Sequence, residues 1–431
     1  MTTSAARSDV PRTRSRRALV AGSVGNFVEW YEFGVYGYFA TIIAANFFTP
    51  EGGSDVEGLV KTYASFALAF FFRPVGAALF GRFGDRIGRR PTLILVIGLM
   101  TLATTLIGLL PTYATAGAAA PWLLTLLRIL QGLSAGGEFG GAVSLMTEFA
   151  PPGRRGLYGA WQSFTVALGL LGGAGVAAVL ATVLSEGALN DWGWRLPFLL
   201  TLPLGAVALW LRLRLEETPV FRKADAEPVA PPPTAEVVRA ILLGAGRIMG
   251  WAAAGYTFLV VLPSYLQSAL NASFQEALIA TVLANLGFAA SIIPAGLTSD
   301  RIGRRTVMLT GAVLVVLLAL PLMNLLQDAG TSTAAKGAAV FAAGAVVGLL
   351  AGPGPAMLAE MFPTSVRCTG LGLAYSLSNA VFSGCAGLII TELIKRTDNV
   401  DIPAYYAAAT CAVSVFALLT LRGDDHRRAL R

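Results

Sequence analysis

Twelve apolar stretches, each long enough to cross about 30 Å of hydrocarbon, which takes around 20 residues, follow one another along the chain. They read as residues 18–46, 59–81, 91–111, 121–148, 156–184, 194–213, 239–268, 274–297, 306–326, 335–359, 366–394 and 402–421. Peptide groups in hydrocarbon must be satisfied within their own segment, so each stretch is expected as a helix and the whole as an all-α polytopic membrane protein. The composition agrees: 55% of the 431 residues are hydrophobic and 13% are charged, where a soluble domain carries about 25% charge. That deficit excludes a water-soluble enzyme of ordinary surface, a disordered chain and a nucleic-acid-binding domain, despite a net charge of +7. The first stretch follows five arginines and resembles a signal peptide, but it is too long for an h-region and carries Glu29 and Glu32. It is read as a retained helix.

Cys368, Cys385 and Cys411 are an odd set in or beside apolar sequence and form no disulfide framework. The one histidine, His426, lies in the polar C-terminal tail. Histidine metal sites, Ser-His-Asp triads and histidine proton relays are thereby excluded from the apolar segments, and proton chemistry there must use carboxylates. No cofactor and no metal are expected.

Placing the N-terminus in the cytoplasm puts 24 of the 32 Lys and Arg on that side and 5 outside. Arg73, Arg128 and Arg247 fall within helices. This positive-inside asymmetry predicts cytoplasmic termini, as an even helix number requires. Residues 214–238 are rich in Pro and charge and read as a cytoplasmic linker between two six-helix bundles, 18–213 and 239–421, with cytoplasmic tails 1–17 and 422–431. The halves repeat. GRFGDRIGRR (81–90) and GLTSDRIGRR (296–305) agree at seven of ten positions, and Glu148, Pro151 and Arg155 share the spacing of Glu360, Pro363 and Arg367. Tandem halves are a secondary-transporter architecture.

The duplicated G-x-x-x-D-R-x-G-R-R loop with twelve helices resembles the major facilitator superfamily over nearly the whole chain. Within it, GNFVEWYEFGVYG (25–37), FFFRPVGAALFGRFGDRIGRR (70–90), RILQGLSAGGEFGG (128–141) and WGWRLPF (192–198) are similar to the metabolite:proton symporter family. Glu32 stands where that family has Asp, so the carboxyl is kept one methylene further out. The resemblance implies twelve helices in two pseudo-symmetric bundles and import of a small organic solute with protons by alternating access. It also implies that the two loops latch the halves at the cytoplasmic face, a gating role for Asp85, Arg86, Arg89 and Arg90 and, in the repeat, Asp300, Arg301 and Arg304. Glu148, Arg155, Glu360 and Arg367 complete that set, and Arg128 lines the gating helices or, near the membrane edge, snorkels.

Each intramembrane charge costs roughly 2.5–3.5 kcal/mol at a helix centre, so none is expected to be idle. Glu29 and Glu32, three residues apart, share a helix face. Glu32, Glu29 and Glu138 are the proton-site candidates, with Glu32 first because it occupies the family's acidic position. Pairing with Arg73 or Arg128 is the structural alternative. Arg73, just before Pro74, can bind a carboxylate bidentately, and its alternative is a salt bridge to Glu29 or Glu32. Arg247 is a snorkelling cation or a lesser substrate contact. Gly132, Gly136 and Gly140 form a small-residue packing face, and the G-x-S-x-G string around Ser134 fails as a nucleophile elbow for want of a strand and a histidine.

Trp30, Tyr31 and Tyr36 can shape a pocket suited to a quaternary ammonium, while Gln162, Tyr256, Asn285 and Asn379 can supply oriented hydrogen bonds. The favoured substrate is a mono- or dicarboxylate facing Arg73, followed by a zwitterion such as proline or a betaine; a proton-driven exporter shares the fold. The short tail after the last helix argues against osmotic sensing. The expected partners are a small organic solute, protons and the bilayer of the inner (plasma) membrane, with no nucleic acid. The protein is expected to be a monomer and not an enzyme.

Overall fold

The computed structural model describes residues 12–49, 54–87, 89–148, 150–151, 153–214, 232–363 and 366–423. Side chains are described within these ranges except at 12–22, 82, 84–87, 89, 145 and 148. Asp85, Arg86, Arg89 and Glu148, expected at a gate, therefore lie outside the described side chains.

Among the described residues twelve long helical runs follow in chain order: α1 (Arg12–Tyr38), α2 (Asp55–Ile87), α3 (Arg89–Leu109), α4 (Ala119–Gly136, continued by Glu138–Glu148), α5 (Arg155–Val183) and α6 (Glu186–Leu213). Then come α7 (Thr234–Leu270), α8 (Phe274–Ile302), α9 (Arg304–Gln327), α10 (Thr333–Met361), α11 (Arg367–Thr397) and α12 (Ile402–Leu419). Ten of these are long and apolar enough to cross a membrane, α1 and α4 making up the twelve. The chain is an all-α, multi-pass membrane protein, and α2 and α3 run past the apolar stretches into the Arg-rich loop 81–90 because a charged sequence can continue a helix once it reaches water.

Local chemistry sets the ends. Ser273 begins α8 with a capping box: its hydroxyl accepts from the Glu276 amide at 3.2 Å and the Glu276 carboxylate accepts from the Ser273 amide at 3.0 Å. Asn271 and Asp398 close α7 and α11 in the left-handed conformation, both at φ 55°. Two helices carry a wide π-type turn midway, α7 at Thr257–Val261 and α11 at Asn379–Ser383. Such turns insert one residue into the ladder and re-aim the side chains around it.

Gly132, Gly136 and Gly140 of α4 divide between two jobs. A Cβ on Gly132 would strike the Ala69 carbonyl, and one on Gly136 the Arg73 carbonyl, so these two let α4 lie directly on α2 within the first half. Gly140 faces the second half, where a Cβ would strike the Cys368 carbonyl of α11. At the Arg-rich end the halves also meet where α5 crosses α8: a Cβ on Gly156 would sit 2.5 Å from the Gly296 carbonyl. At the opposite end, Tyr63 Oη and Ser264 Oγ are 2.6 Å apart and Thr41 Oγ1 donates to Gln267 Oε1 at 3.2 Å. Contacts at both ends close the molecule around its centre.

Gly132→Val is expected to cost about 1–3 kcal/mol through overpacking, seen as a lower melting midpoint in detergent. Gly140→Ala, which crowds the contact between halves, is expected to spare the melt more and to speed maleimide labelling of Cys368, located by mass spectrometry.

Candidate functional site

Three carboxylates and three guanidiniums are buried together where α1, α2, α4 and α6 pack. Glu29 Oε1 accepts from Arg73 Nη2 at 3.1 Å, both side chains being almost wholly enclosed. The Arg73 Cζ lies 4.3 Å from the Phe33 ring centre, 4.4 Å from Phe70 and 5.6 Å from Trp30, so aromatic faces replace water around the cation. Pro74 follows it within α2.

Glu138, at the start of the second segment of α4, is ion-paired with Arg212 near the end of α6, and Arg212 Nη1 also donates to the Leu93 carbonyl at 2.8 Å. Arg212 reads in the sequence as a loop charge; it is 2% exposed. The acid that holds it there could have been sought as its counter-ion. Gly25 makes room: a Cβ there would collide with the Arg212 guanidinium and lie 2.7 Å from Glu138 Oε1. Glu138 is thus committed to a cation, unlike the third acid.

Glu32 is fully buried and faces no cation at ion-pair distance among the described residues. Its Oε2 accepts from Thr104 Oγ1 at 2.8 Å, and its Oε1 has no hydrogen-bond partner among the described residues. Arg128, where a snorkelling side chain was one expectation, is fully buried instead. Its Cζ lies 4.0 Å from the Tyr36 ring centre, 4.9 Å from Phe66 and 5.1 Å from Phe33, and Nη1 donates to Gln131 Oε1 at 2.6 Å. Two of its nitrogens, Nε and Nη2, have no hydrogen-bond partner among the described residues. Sequence reasoning passed over Thr104 and Gln131, polar residues in apolar helices that gave no stronger signal than that.

Between the halves a small cavity is lined by Trp30 from α1, Trp251 and Tyr256 from α7, Phe288 from α8, and Tyr375, Asn379 and Ser383 from α11, with aliphatic side chains from α5 and α7. Leu259, Val260, Asn379 and Ser383 reach it from the two π-type turns. Trp30 and Tyr256 have ring centres 6.1 Å apart and Trp251 and Tyr375 5.9 Å, while Phe139 stacks on Tyr375 at 3.4 Å. The Tyr256 hydroxyl is buried without a hydrogen-bond partner among the described residues. Trp30, Tyr256 and Asn379 are the sequence candidates that this cavity brings together.

Other candidates are spent elsewhere. Tyr31 donates to the Pro197 carbonyl at 2.9 Å, and Tyr36 to the Thr62 carbonyl at 3.3 Å. Gln162 donates to Asn26 Oδ1 at 3.2 Å in a clasp between α5 and α1, and Asn285 Nδ2 to the Thr281 carbonyl at 2.9 Å. The amide oxygens of Gln162 and Asn285 are buried without a hydrogen-bond partner among the described residues. Arg247 donates to Thr420 Oγ1 at 2.9 Å near the end of α12, far along α7 from Tyr256.

At the Arg-rich end, Asp300 accepts from the backbone amides of Gly156 at 2.8 Å and Leu157 at 3.0 Å, the free N–H groups at the start of α5. Arg304 donates to Asp300 at 2.8 Å and to Glu360 at 3.2 Å, and Glu360 also pairs with Arg155 at 3.3 Å. The second-half loop is therefore tied to the first half by both main-chain and side-chain contacts. Arg367 Nε donates to the Ala359 and Phe362 carbonyls, each at 3.2 Å, fastening α11 to the end of α10. Arg301 is exposed, and Arg90 Nη2 donates to the Leu213 carbonyl at 2.6 Å.

Two family descriptions match: Sugar (and other) transporter over residues 18–227 and Major Facilitator Superfamily over residues 245–430. The chain is 33% identical over 426 residues to the proline/betaine transporter of Escherichia coli (strain K12), covering 96% of this chain and 84% of that one. It is 36% identical over 383 residues to the alpha-ketoglutarate permease of the same strain, covering 87% of each. Among solved structures, the proton:xylose symporter XylE superposes with a TM-score of 0.78 at 17% identity over 95% of both chains, a likeness of fold.

Arg212→Leu leaves the Glu138 charge buried and alone, and is expected to destabilise by about 3–5 kcal/mol. Thermal melting checks this, and combining it with Glu138→Gln is expected to restore most of the loss.

Proposed function

The chain belongs to the major facilitator superfamily, in its metabolite:proton symporter family, and on that footing we propose that it imports a small zwitterion, such as proline or a betaine, with protons by alternating access. The lining of the central cavity supports this reading: five aromatic rings, from Trp30, Trp251, Tyr256, Phe288 and Tyr375, with no Lys, Arg, Asp or Glu among the lining residues. Electron-rich ring faces hold a substituted ammonium without the desolvation cost of a buried carboxylate. The Tyr256 hydroxyl, Asn379 and Ser383 supply oriented hydrogen bonds.

A dicarboxylate needs two cations. Arg73 is the one beside Trp30, and it already faces Glu29. This is why the zwitterion is placed ahead of the di- and monocarboxylates favoured from sequence. A monocarboxylate is the second reading, supported by the same Arg73: protonation of Glu29 would free the guanidinium for a solute carboxylate, so that arginine and acid form one pair when empty and another when loaded. Glu32, buried without a cation, is the proposed site of the coupled proton.

The Arg-rich end is taken as cytoplasmic, with both termini inside and a plasma (inner) membrane location. The bundles are proposed as 18–213 and 239–421, joined by 214–238, in a monomer. Asp300, Arg301, Arg304, Glu360 and Arg155 act in this scheme as the closed gate of the cytoplasmic face, with Asp85, Arg86, Arg89, Glu148 and Arg367 their respective counterparts in the repeat.

Proteoliposomes under an inward proton gradient are expected to accumulate glycine betaine or proline and not citrate or succinate; accumulation of the dicarboxylates alone overturns the substrate reading. Glu32→Gln is expected to keep solute exchange and lose gradient-driven accumulation. If it accumulates solute as wild type does, Glu32 is not the proton site. Arg73→Lys is expected to raise the apparent KM at least tenfold, and an unchanged KM removes Arg73 from carboxylate binding.

A further inference from the structure

Four groups on three helices form one directed chain of hydrogen bonds. Arg128 can only donate, and its Nη1 meets Gln131 Oε1 at 2.6 Å. That contact fixes the amide orientation of Gln131, since the opposite flip would set two donors against each other. Gln131 therefore presents its N–H to Thr104, and Nε2 donates to Thr104 Oγ1. With that oxygen already accepting, the one hydroxyl proton of Thr104 has two destinations: Glu32 Oε2 at 2.8 Å or the Met100 carbonyl at 3.0 Å.

We propose that Thr104 and Gln131 are positioning residues for proton coupling, with the Thr104 hydroxyl turning between Glu32 and the Met100 carbonyl as Glu32 loses and gains its proton. When Glu32 is a carboxylate, Thr104 donates to it. When Glu32 is a carboxylic acid, its own O–H donates to Thr104 Oγ1, whose proton then goes to Met100. Thr104 keeps a bond to Glu32 in both states, and no heavy atom needs to move. Gln131 transmits the fixed charge of Arg128 to the hydroxyl as a dipole, so Arg128 biases Glu32 without touching it. A direct ion pair would hold the carboxylate charged; a neutral amide and hydroxyl between them leave it free to exchange its proton.

The other groups facing Glu32 are accounted for. Glu29 and Tyr31 lie on its own helix. Glu138 and Arg128 come from α4, where Glu138 is neutralised by Arg212 of α6. Arg73 of α2 is held by Glu29. Among these, the Thr104 bond is the direct contact, and it is the one whose direction can reverse.

This inference rests on Glu32 as the proton site and is separable from it. The test is uptake in proteoliposomes as a function of pH for wild type, Thr104→Val, Thr104→Ser and Gln131→Leu. Thr104→Val keeps the shape of the side chain and removes the hydroxyl, taking away a bond worth more to the charged than to the neutral form of its partner. The pH of half-maximal uptake is expected to rise by about half a unit to one unit. Thr104→Ser is expected to restore the wild-type midpoint, and Gln131→Leu to shift it by a smaller amount. The carbonyl stretch of the protonated acid in infrared difference spectra, identified by its loss in Glu32→Gln, is expected to move in Thr104→Val and return in Thr104→Ser. A wild-type midpoint and an unmoved stretch in Thr104→Val overturn the proposal, as does a shift that serine fails to reverse. If Glu32→Gln is defective while Thr104→Val is normal, the relay fails and the proton site stands; if Glu32→Gln accumulates solute normally, the site itself fails.

Discussion

Everything in the first half is arranged around charge that must balance where there is no water. Glu29, Glu32 and Glu138 face Arg73, Arg128 and Arg212 in equal numbers, but not in three like pairs. Two acids are bound to two cations. The third acid and third cation are held apart by a glutamine and a threonine. Desolvating an ion is repaid only by a close partner or by aromatic faces and hydrogen bonds in its place. Arg128 receives the second kind of compensation, from Tyr36, Phe66 and Phe33. The packing of α1 against α4 and α6 follows from this arrangement: Gly25 stays bare because the Glu138–Arg212 pair occupies the space a side chain would take.

The cavity depends on the same residues seen from the other side. Trp30 lies beside the Arg73 guanidinium and also faces the space between the halves, so a change in what Arg73 binds is felt at the cavity wall. Tyr256 packs against Trp30, Phe66 and Phe70, the last of which also covers Arg73. The proposed solute and proton sites thus share walls while remaining distinct places.

Much of the architecture was legible in the sequence because membrane insertion writes itself in long, simple signals. The apolar stretches, the repeated GRFGDRIGRR and GLTSDRIGRR loops and the matching Glu360 and Arg367 spacing fall where helices and their turns fall. The pairing of Glu29 with Arg73 was one of two alternatives open from spacing alone, since it needs only a helix face and a neighbour. The fate of Arg212 was not legible: a charge a few residues from a linker looks like a loop charge until the chain's path brings Glu138 to it. Tyr31 and Gln162 misled for a related reason. A buried phenol or amide satisfies itself with whatever carbonyl is nearest, and Pro197 and Asn26 are far away in sequence.

The Asp300 contact bears on how this junction between the halves drifts over time. Its partners on α5 are the main-chain amides of Gly156 and Leu157, which every residue but proline provides. The two hydrogen bonds therefore ask nothing of the α5 side chains, and what restricts Gly156 is instead the room it leaves beside the Gly296 carbonyl. Comparing many related chains would find Asp300 co-varying with Arg304 of its own half and with no side chain on α5, whereas the nearby Glu360–Arg155 pair leaves two positions, one in each half, free to change together.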